Sequence, residues 1–323
     1  METVKWGILG ASKFAKEHMG PAIHAADGAE LVALATSSAE KVAPFLAFCP
    51  NLKTHGSYDA LLADPEIDAV YIPLPNHMHV EWALRAMAAG KHVLCEKPMA
   101  LCADDFAKLI AARDASGLLA AEAYMIAHHP QWQYVRQLLA DHEIGTLRHV
   151  TGAFSFNNQD QPENIRNKSD TGGGALRDIG VYTLGSVRLA TGQEPCEVAA
   201  RIRWENAVDV FSDVQAQFSG FSYSAYVSTR MKQHQDMVFH GSRGLIRLIA
   251  PFNPGVFAEG QVVLQRDGQD DVIRRFTGVN QYRLQVEAFG RSVRDGVAYP
   301  CALEFSRGTQ KMMDQVFAVA RDL

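Results

Sequence analysis

Three side chains in this 323-residue sequence have the types and settings needed to move a proton: Lys97, Asp178 and Tyr182. Lys97 lies in GKHVLCEKP, Gly90 to Pro98, where Val93 and Leu94 read as a buried strand that stops at an acid, a base and a proline. Pro98 cannot extend a sheet and restrains Lys97 toward extended geometry. A lysine at the carboxyl end of such a strand stands where open α/β sheets bind their ligands. Alone, it reads better as half of a surface Glu-Lys pair. Asp178 and Tyr182 are at i and i+4 in a helical segment after Gly172-Gly173-Gly174. That spacing puts both on one face, with Leu176 and Leu184 turned away to pack it. Their structural reading is a strand cap and a half-buried core tyrosine. A phenol titrates at about 10 and is a poor base at neutral pH, but an adjacent ammonium favours its phenolate. Lysine, carboxylate and phenol together form a set suited to general acid–base catalysis.

The elements that must position these groups begin at the front of the chain. TVKWGIL (3–9) reads as a buried strand, GASKFA as a turn, about 15–25 as a helix, and AELVALAT as a second strand ending at Thr36. This is a βαβ unit of the length that mononucleotide-binding halves use. The turn Gly10-Ala11-Ser12-Lys13-Phe14-Ala15 is a degenerate G-x-G-x-x-G/A fingerprint. Gly10 serves the tight turn, Ser12 stands at the second glycine, and Ala15 allows close helix–sheet packing below a helix amino terminus that favours phosphates. The second strand ends without the acid that NAD sites use on the ribose. Instead Thr36, Ser37 and Ser38 are followed by Lys41, and Lys13 is in the neighbouring turn. Hydroxyls and cations suit a 2′-phosphate, so NADP(H) is favoured over NAD(H), although Ser37 and Ser38 also suit a helix cap. Helices before Pro50 and at 57–63, the strand DAVYIPL, a helix from near His79, the EKP strand, a helix at 103–115 and the strand LLAAEAY continue the alternation. The turn Leu74-Pro75-Asn76 and the helix start at His79 are candidates for lining the cofactor. His77 and His79 have poor zinc spacing, and no metal is expected. Residues 1–123 therefore read as a Rossmann-type, doubly wound parallel sheet with right-handed crossovers.

Beyond Tyr124 the pattern changes. A helix at 130–139, the strand LRHVTGAFSF, a polar loop, the Asp178 helix, alternating strands to about 275 and two closing helices follow. Residues 124–323 read as an α+β domain with a large, mostly antiparallel open sheet and helices on one face. The other face of that sheet leads to the expectation of a homo-oligomer, dimer or tetramer. The balance of 47% hydrophobic and 21% charged residues is globular. With 31 Lys+Arg against 36 Asp+Glu, the formal charge of −5 gives no footprint for nucleic acid or an anionic membrane. No apolar run approaches the roughly 20 residues of a membrane helix. Five scattered cysteines without a CxxC argue for reduced thiols rather than disulfides or structural zinc. METVKWGILG has neither a basic n-region nor a cleavage site, which leads to the expectation of a cytoplasmic protein.

WGILGASKFA, PLPNHMHVEWALRAMAAGKHVLCEKP, GTLRHV and GGGALRDIGVY together resemble the glucose–fructose oxidoreductase/inositol dehydrogenase (Gfo/Idh/MocA) family over almost the whole chain. The last segment is most similar to the branch of dihydrodiol dehydrogenases, NADP-dependent xylose dehydrogenases and anhydrofructose reductases. The resemblance implies NADP(H)-dependent hydride transfer to or from a carbon of a sugar, cyclic polyol or vicinal diol. It implies Lys97 at the reacting carbon, Tyr182 as general acid/base where other members use histidine, and Asp178 as the carboxylate one turn before it. Arg166 of ENIR resembles a loop arginine near substrate or cofactor, Tyr124 belongs to the substrate side, and Glu96 and Pro98 help form the nicotinamide end. Two positions depart from the family pattern: Gly10-Ala11-Ser12 lacks the second glycine, and Ala127 replaces an arginine in EAYMIAHHPQ. A reading from another class is a cofactor-binding regulatory or scaffold protein that kept the fold without catalysis.

Overall fold

The computed structural model describes residues 3–323. The chain forms two compact units, one running up to His128 together with Asn280–Arg307, the other comprising His129–Val279 with Gly308–Leu323.

The first unit is built on six parallel strands: β1 (Val4–Leu9), β2 (Ala29–Ala35), β3 (Lys53–His55), β4 (Ala69–Ile72), β5 (His92–Cys95) and β6 (Ala120–Glu122), in the order β3-β2-β1-β4-β5-β6. The central strands are apolar runs buried on both faces, as in β4 and in Val93, Leu94 and Cys95 of β5. That is the expected signature of a parallel sheet covered by helices. The order reverses between β1 and β4, so the carboxyl ends of these two strands flank the switch point where such sheets take ligands. The doubly wound reading therefore holds. β3 is absent from the sequence reading, because the three residues Lys-Thr-His are polar and partly exposed and carry no apolar pattern.

The sequence reading assigns everything after residue 123 to the second domain; the fold differs. The 124–128 segment and the helix Gln281–Asp295 belong to the first unit. Tyr282, Val286 and Phe289 form one buried stripe of that helix. The Phe289 ring is 4.9 Å from Trp6 of β1, the Tyr282 ring is 5.5 Å from Phe14, and Arg294 Nη1 donates to Gly28 O at 2.8 Å. Asn280 starts the helix by accepting from the Tyr282 and Arg283 N–H groups.

The second unit is organised on nine strands: β7 (Leu147–Asn157), β8 (Glu197–Glu205), β9 (Val208–Phe218), β10 (Phe221–Ser228), β11 (Arg230–Gly241), β12 (Gly244–Leu248), β13 (Gly260–Arg266), β14 (Val272–Phe276) and β15 (Arg321–Asp322). Their order is β14-β13-β12-β11-β7-β10-β9-β8-β15, antiparallel except for the β7–β10 and β8–β15 pairs. In β10, Phe221, Tyr223, Ala225 and Val227 are buried while Ser222, Ser224 and Tyr226 are not, so one face of the sheet packs and the other is open. The helix Val181–Thr191 is tied to the packed face, where Tyr223 Oη donates to Thr183 O at 2.8 Å. Among the described residues, no helix is long and apolar enough to cross a membrane, and no group of three His, Cys, Asp or Glu could hold a metal ion.

Candidate active site

In the first unit, the turn after β1 begins at Gly10, whose φ of +109° is costly for any residue with a side chain. A Cβ there would also meet Leu74 Cδ2 at 3.0 Å. The Ser12 hydroxyl accepts from Ala15 N–H at 3.0 Å, so it caps the helix that the turn feeds. That helix opens as a π turn, Ala15–Met19, and continues as Gly20–Ala25. The Phe14 ring is packed between His18 and Tyr282, at 5.0 and 5.5 Å. At the end of β2, Thr36 Oγ1 accepts from Ser38 N–H at 3.2 Å, and Ser38 makes no side-chain cap to the next turn. Lys13, Ser37 and Lys41 are exposed. A glycine turn at positive φ, a helix start, and hydroxyls and cations at the end of β2 with no acid directly at the strand's end, the nearest being the exposed Glu40, fit a phosphorylated dinucleotide.

Lys97 and Pro98 leave the end of β5, and three buried anchors hold this turn. Tyr71 Oη donates to Glu96 Oε1 at 2.7 Å, and Lys97 N–H donates to the other carboxylate oxygen at 3.3 Å. Burial pushes the Glu96 carboxyl above its ordinary range, opposed by the Lys97 ammonium and the Tyr71 hydroxyl. Glu122 Oε1 accepts from Met99 N–H at 2.8 Å. His79 is wholly buried, its ring nitrogens 2.8 Å from Pro98 O and 2.7 Å from Leu74 O. It ties the Leu74-Pro75-Asn76 turn to the Pro98 turn, and burial lowers its pKa. Tyr124 is likewise wholly buried, its ring 5.8 Å from Phe305.

In the second unit, Arg166 and Asp178 come into contact: Arg166 Nε donates to Asp178 Oδ2 at 2.6 Å. Asp178 lies in a π turn, Leu176–Gly180, that precedes the α-helix Val181–Thr191 carrying Tyr182. The two are thus not on one regular α-helix, although Leu176 and Leu184 are fully buried as the spacing predicts. π turns open both helices that carry the sequence motifs, a placement common at functional sites. Tyr182 is 5% exposed, with the Phe154 and Phe252 rings each 5.7 Å from its own.

Sequence reasoning misses Asp209. It is 1% exposed, and its Oδ2 accepts from Leu176 N–H at 2.6 Å and from Ser212 Oγ at 3.2 Å, fixing the start of the Asp178 turn. Burial raises its carboxyl pKa against these hydrogen bonds. The available signal was an aspartate flanked by valines inside a strand, where acids are depleted. Gly174, at φ +119°, makes room for it, because a Cβ there would overlap Asp209 Oδ1. Gly174→Ala is therefore expected to destabilise this unit by roughly 2–4 kcal/mol, combining backbone strain with a displaced buried carboxylate. Chemical denaturation checks it, and a loss under about 0.5 kcal/mol, the scale of an ordinary surface change, would show that Asp209 is not fixed there.

The model of an oxidoreductase family with an NAD-binding Rossmann fold (GFO_IDH_MocA) matches residues 4–124, and the GFO/IDH/MocA C-terminal domain matches residues 132–247. The chain is 35% identical to a dTDP-3,4-didehydro-2,6-dideoxy-α-D-glucose 3-reductase of Saccharopolyspora spinosa, over 91% of this chain and 88% of that one. It is 31% identical to an NADP(+) D-xylose 1-dehydrogenase of Haloferax volcanii, over 98% and 97%. A crystal structure of a 3-ketoreductase from Actinomadura kijaniata with NADP and TDP-benzene is similar at a TM-score of 0.91 and 29% identity, covering 100% of this chain and 99% of that one. That protein has also been solved as lysine-to-alanine and tyrosine-to-phenylalanine mutants. Two matching domain models and full-length relatives agree with the glycine turn, the EKP turn and the GGGALRDIGVY helix: the chain belongs to the Gfo/Idh/MocA oxidoreductase family.

Proposed function

We propose that this protein is an NADP(H)-dependent oxidoreductase acting on a sugar-type carbon, a sugar, cyclic polyol or vicinal diol, with Tyr182 as general acid/base assisted by Lys97. The observation that carries the reading is that the proton-handling groups sit in built surroundings. Asp178 is paired with Arg166 at 2.6 Å, Tyr182 is seated among Phe154 and Phe252, and Lys97 leaves a turn anchored by Glu96, Glu122 and His79. Support comes from the relatives, among which are a ketoreductase solved with NADP and an NADP(+) xylose dehydrogenase. The lysine and tyrosine altered in the ketoreductase are separated by almost the same number of residues as Lys97 and Tyr182.

The nicotinamide, when bound, accepts or donates the hydride. The chain's own work is proton and charge management. Tyr182 Oη takes the hydroxyl proton when an alcohol is oxidised and returns it when a carbonyl is reduced. The Lys97 ammonium favours the phenolate and stabilises negative charge on the reacting oxygen. Asp178, held by Arg166, accepts from a substrate hydroxyl and fixes the orientation of the ring.

The test is a fluorescence titration with NADPH and NADH, followed by a sugar and diol panel with the tighter cofactor. NADPH is expected to bind at least about tenfold more tightly, on the order of 1.4 kcal/mol, and to support turnover. Tighter NADH binding would overturn the role given to Thr36, Ser37, Ser38 and Lys41. Binding without turnover across the panel would favour a regulatory role.

A further inference from the structure

We infer that Arg230 is a positioning residue, whose guanidinium fixes the 158–172 loop and with it the Arg166–Asp178 pair; its kinetic consequence rests on the reading that this pair orients the substrate. Polar surface loops of this length are ordinarily mobile. This one is held from beneath. Arg230, its side chain 14% exposed, stands at the start of β11. Its Nε donates to Glu205 Oε2 at 2.8 Å, Nη1 to Asn158 Oδ1 at 2.8 Å, and Nη2 to Asn167 Oδ1 at 3.1 Å. Nη1 also reaches Thr229 O at 3.0 Å and Thr229 Oγ1 at 3.2 Å. One planar fork thus joins the end of β8, the exit of β7 and the middle of the loop, a task the single point charge of a lysine cannot reproduce.

Asn167 is the loop's side of this clamp. While its Oδ1 receives Arg230, its Nδ2 donates to Asn158 O at 3.0 Å and Gln161 O at 2.9 Å. Arg166 is the preceding residue in the same tight turn, Ile165–Asn167, and projects the other way, to Asp178. The turn is also seated on the triple glycine: Gly174 N–H donates to Arg166 O at 2.9 Å, and a Cβ on Gly173 would lie 2.6–2.7 Å from the carbonyl oxygens of Ile165, Arg166 and Lys168. Adjacent residues in so tight a turn move together. A shift of Asn167 on losing Arg230 therefore carries Arg166 away from Asp178.

The experiment compares Arg230→Lys, Asn167→Ala and Asn167→Asp in the full chain. It reads hydrogen exchange of the loop with NADPH bound, NADPH affinity, and kcat and KM on the best substrate of the panel. Arg230→Lys and Asn167→Ala are expected to speed exchange of the loop about tenfold or more, while β9 and β10 keep their protection. They are expected to lower kcat/KM roughly 10–100-fold, as a displaced positioning group does, mostly through KM, with NADPH affinity unchanged. Asn167→Asp keeps the acceptor for Arg230 but sets a carboxylate oxygen against the Asn158 and Gln161 carbonyls, so it is expected to recover only part of the loss. Should Arg230→Lys fail to fold, Asn158→Ala decides: it removes an acceptor of Arg230 while the Asn167 Nδ2 bonds to the Asn158 and Gln161 carbonyls remain, and the same faster loop exchange is expected of it. Unchanged loop exchange, or faster exchange with kcat/KM within twofold of the parent, overturns the inference. If the parent turns over no substrate, the proposed function falls, and loop exchange by itself still decides for or against Arg230.

Discussion

Replacing Lys97 by alanine is expected to abolish turnover while NADPH affinity stays within about tenfold, on the order of 1.4 kcal/mol. The separation of the two effects follows from how the turn is built. Its backbone is held by Tyr71 and Lys97 N–H on Glu96, by Glu122 on Met99 N–H, and by His79 at Pro98 O. Those hydrogen bonds are made by backbone atoms and by other side chains, so truncating Lys97 is expected to leave the turn's backbone in place while the Glu96 carboxyl loses the ammonium that opposes its burial. On the proposed mechanism, what disappears is the charge that stabilises the reacting oxygen and favours the phenolate, and a preorganised charge of this kind is typically among the largest contributions to the rate. Steady-state kinetics with a parallel fluorescence titration checks both halves. Turnover retained within tenfold would take Lys97 out of the mechanism, and a collapse of NADPH affinity would make it a cofactor anchor instead.

How much of this was legible in the sequence depends on the kind of signal each feature leaves. β5 could be read because Val93 and Leu94 are buried on both faces and a proline marks the stop. The Gly10 turn could be read because its φ of +109° demands glycine. β3 could not, since a three-residue polar edge strand owes its existence to pairing with β2 rather than to its own pattern. The attachment of helix Gln281–Asp295 to the first unit was equally silent. Its apolar stripe announces burial but not the identity of Trp6 as the partner. His79 marks a subtler limit. Its place at a candidate cofactor turn was legible, whereas its seat with ring nitrogens 2.8 and 2.7 Å from carbonyl oxygens of two turns was not, because no local pattern relates those turns. The spacing of Asp178 and Tyr182 was visible, while the π turn beneath Asp178 was not. That turn follows from a glycine at 174 and a buried carboxylate at 209, distant residues that meet only in the fold.

Tyr182→Phe is expected to cut the rate by roughly 10²–10⁴-fold, the usual loss with a general acid/base, and to leave the melting temperature nearly unchanged. The ring's packing predicts the second half. Tyr182 is 5% exposed, stacked on Phe252 and tilted against Phe154, and those two rings are themselves stacked at 5.1 Å. Phenylalanine keeps that aromatic surface and its contacts, so only the oxygen is lost. Alanine at the same position would instead empty an aromatic site at a cost of about 3–5 kcal/mol and would confuse chemistry with folding. The phenylalanine variant therefore separates the two readings of this residue. A large rate loss without a change in melting assigns the hydroxyl to proton transfer. A lowered melting temperature with a rate that follows the folded fraction assigns it to the core, and an unchanged rate leaves Lys97 and Asp178 without their proton carrier and the proposed mechanism without its central step.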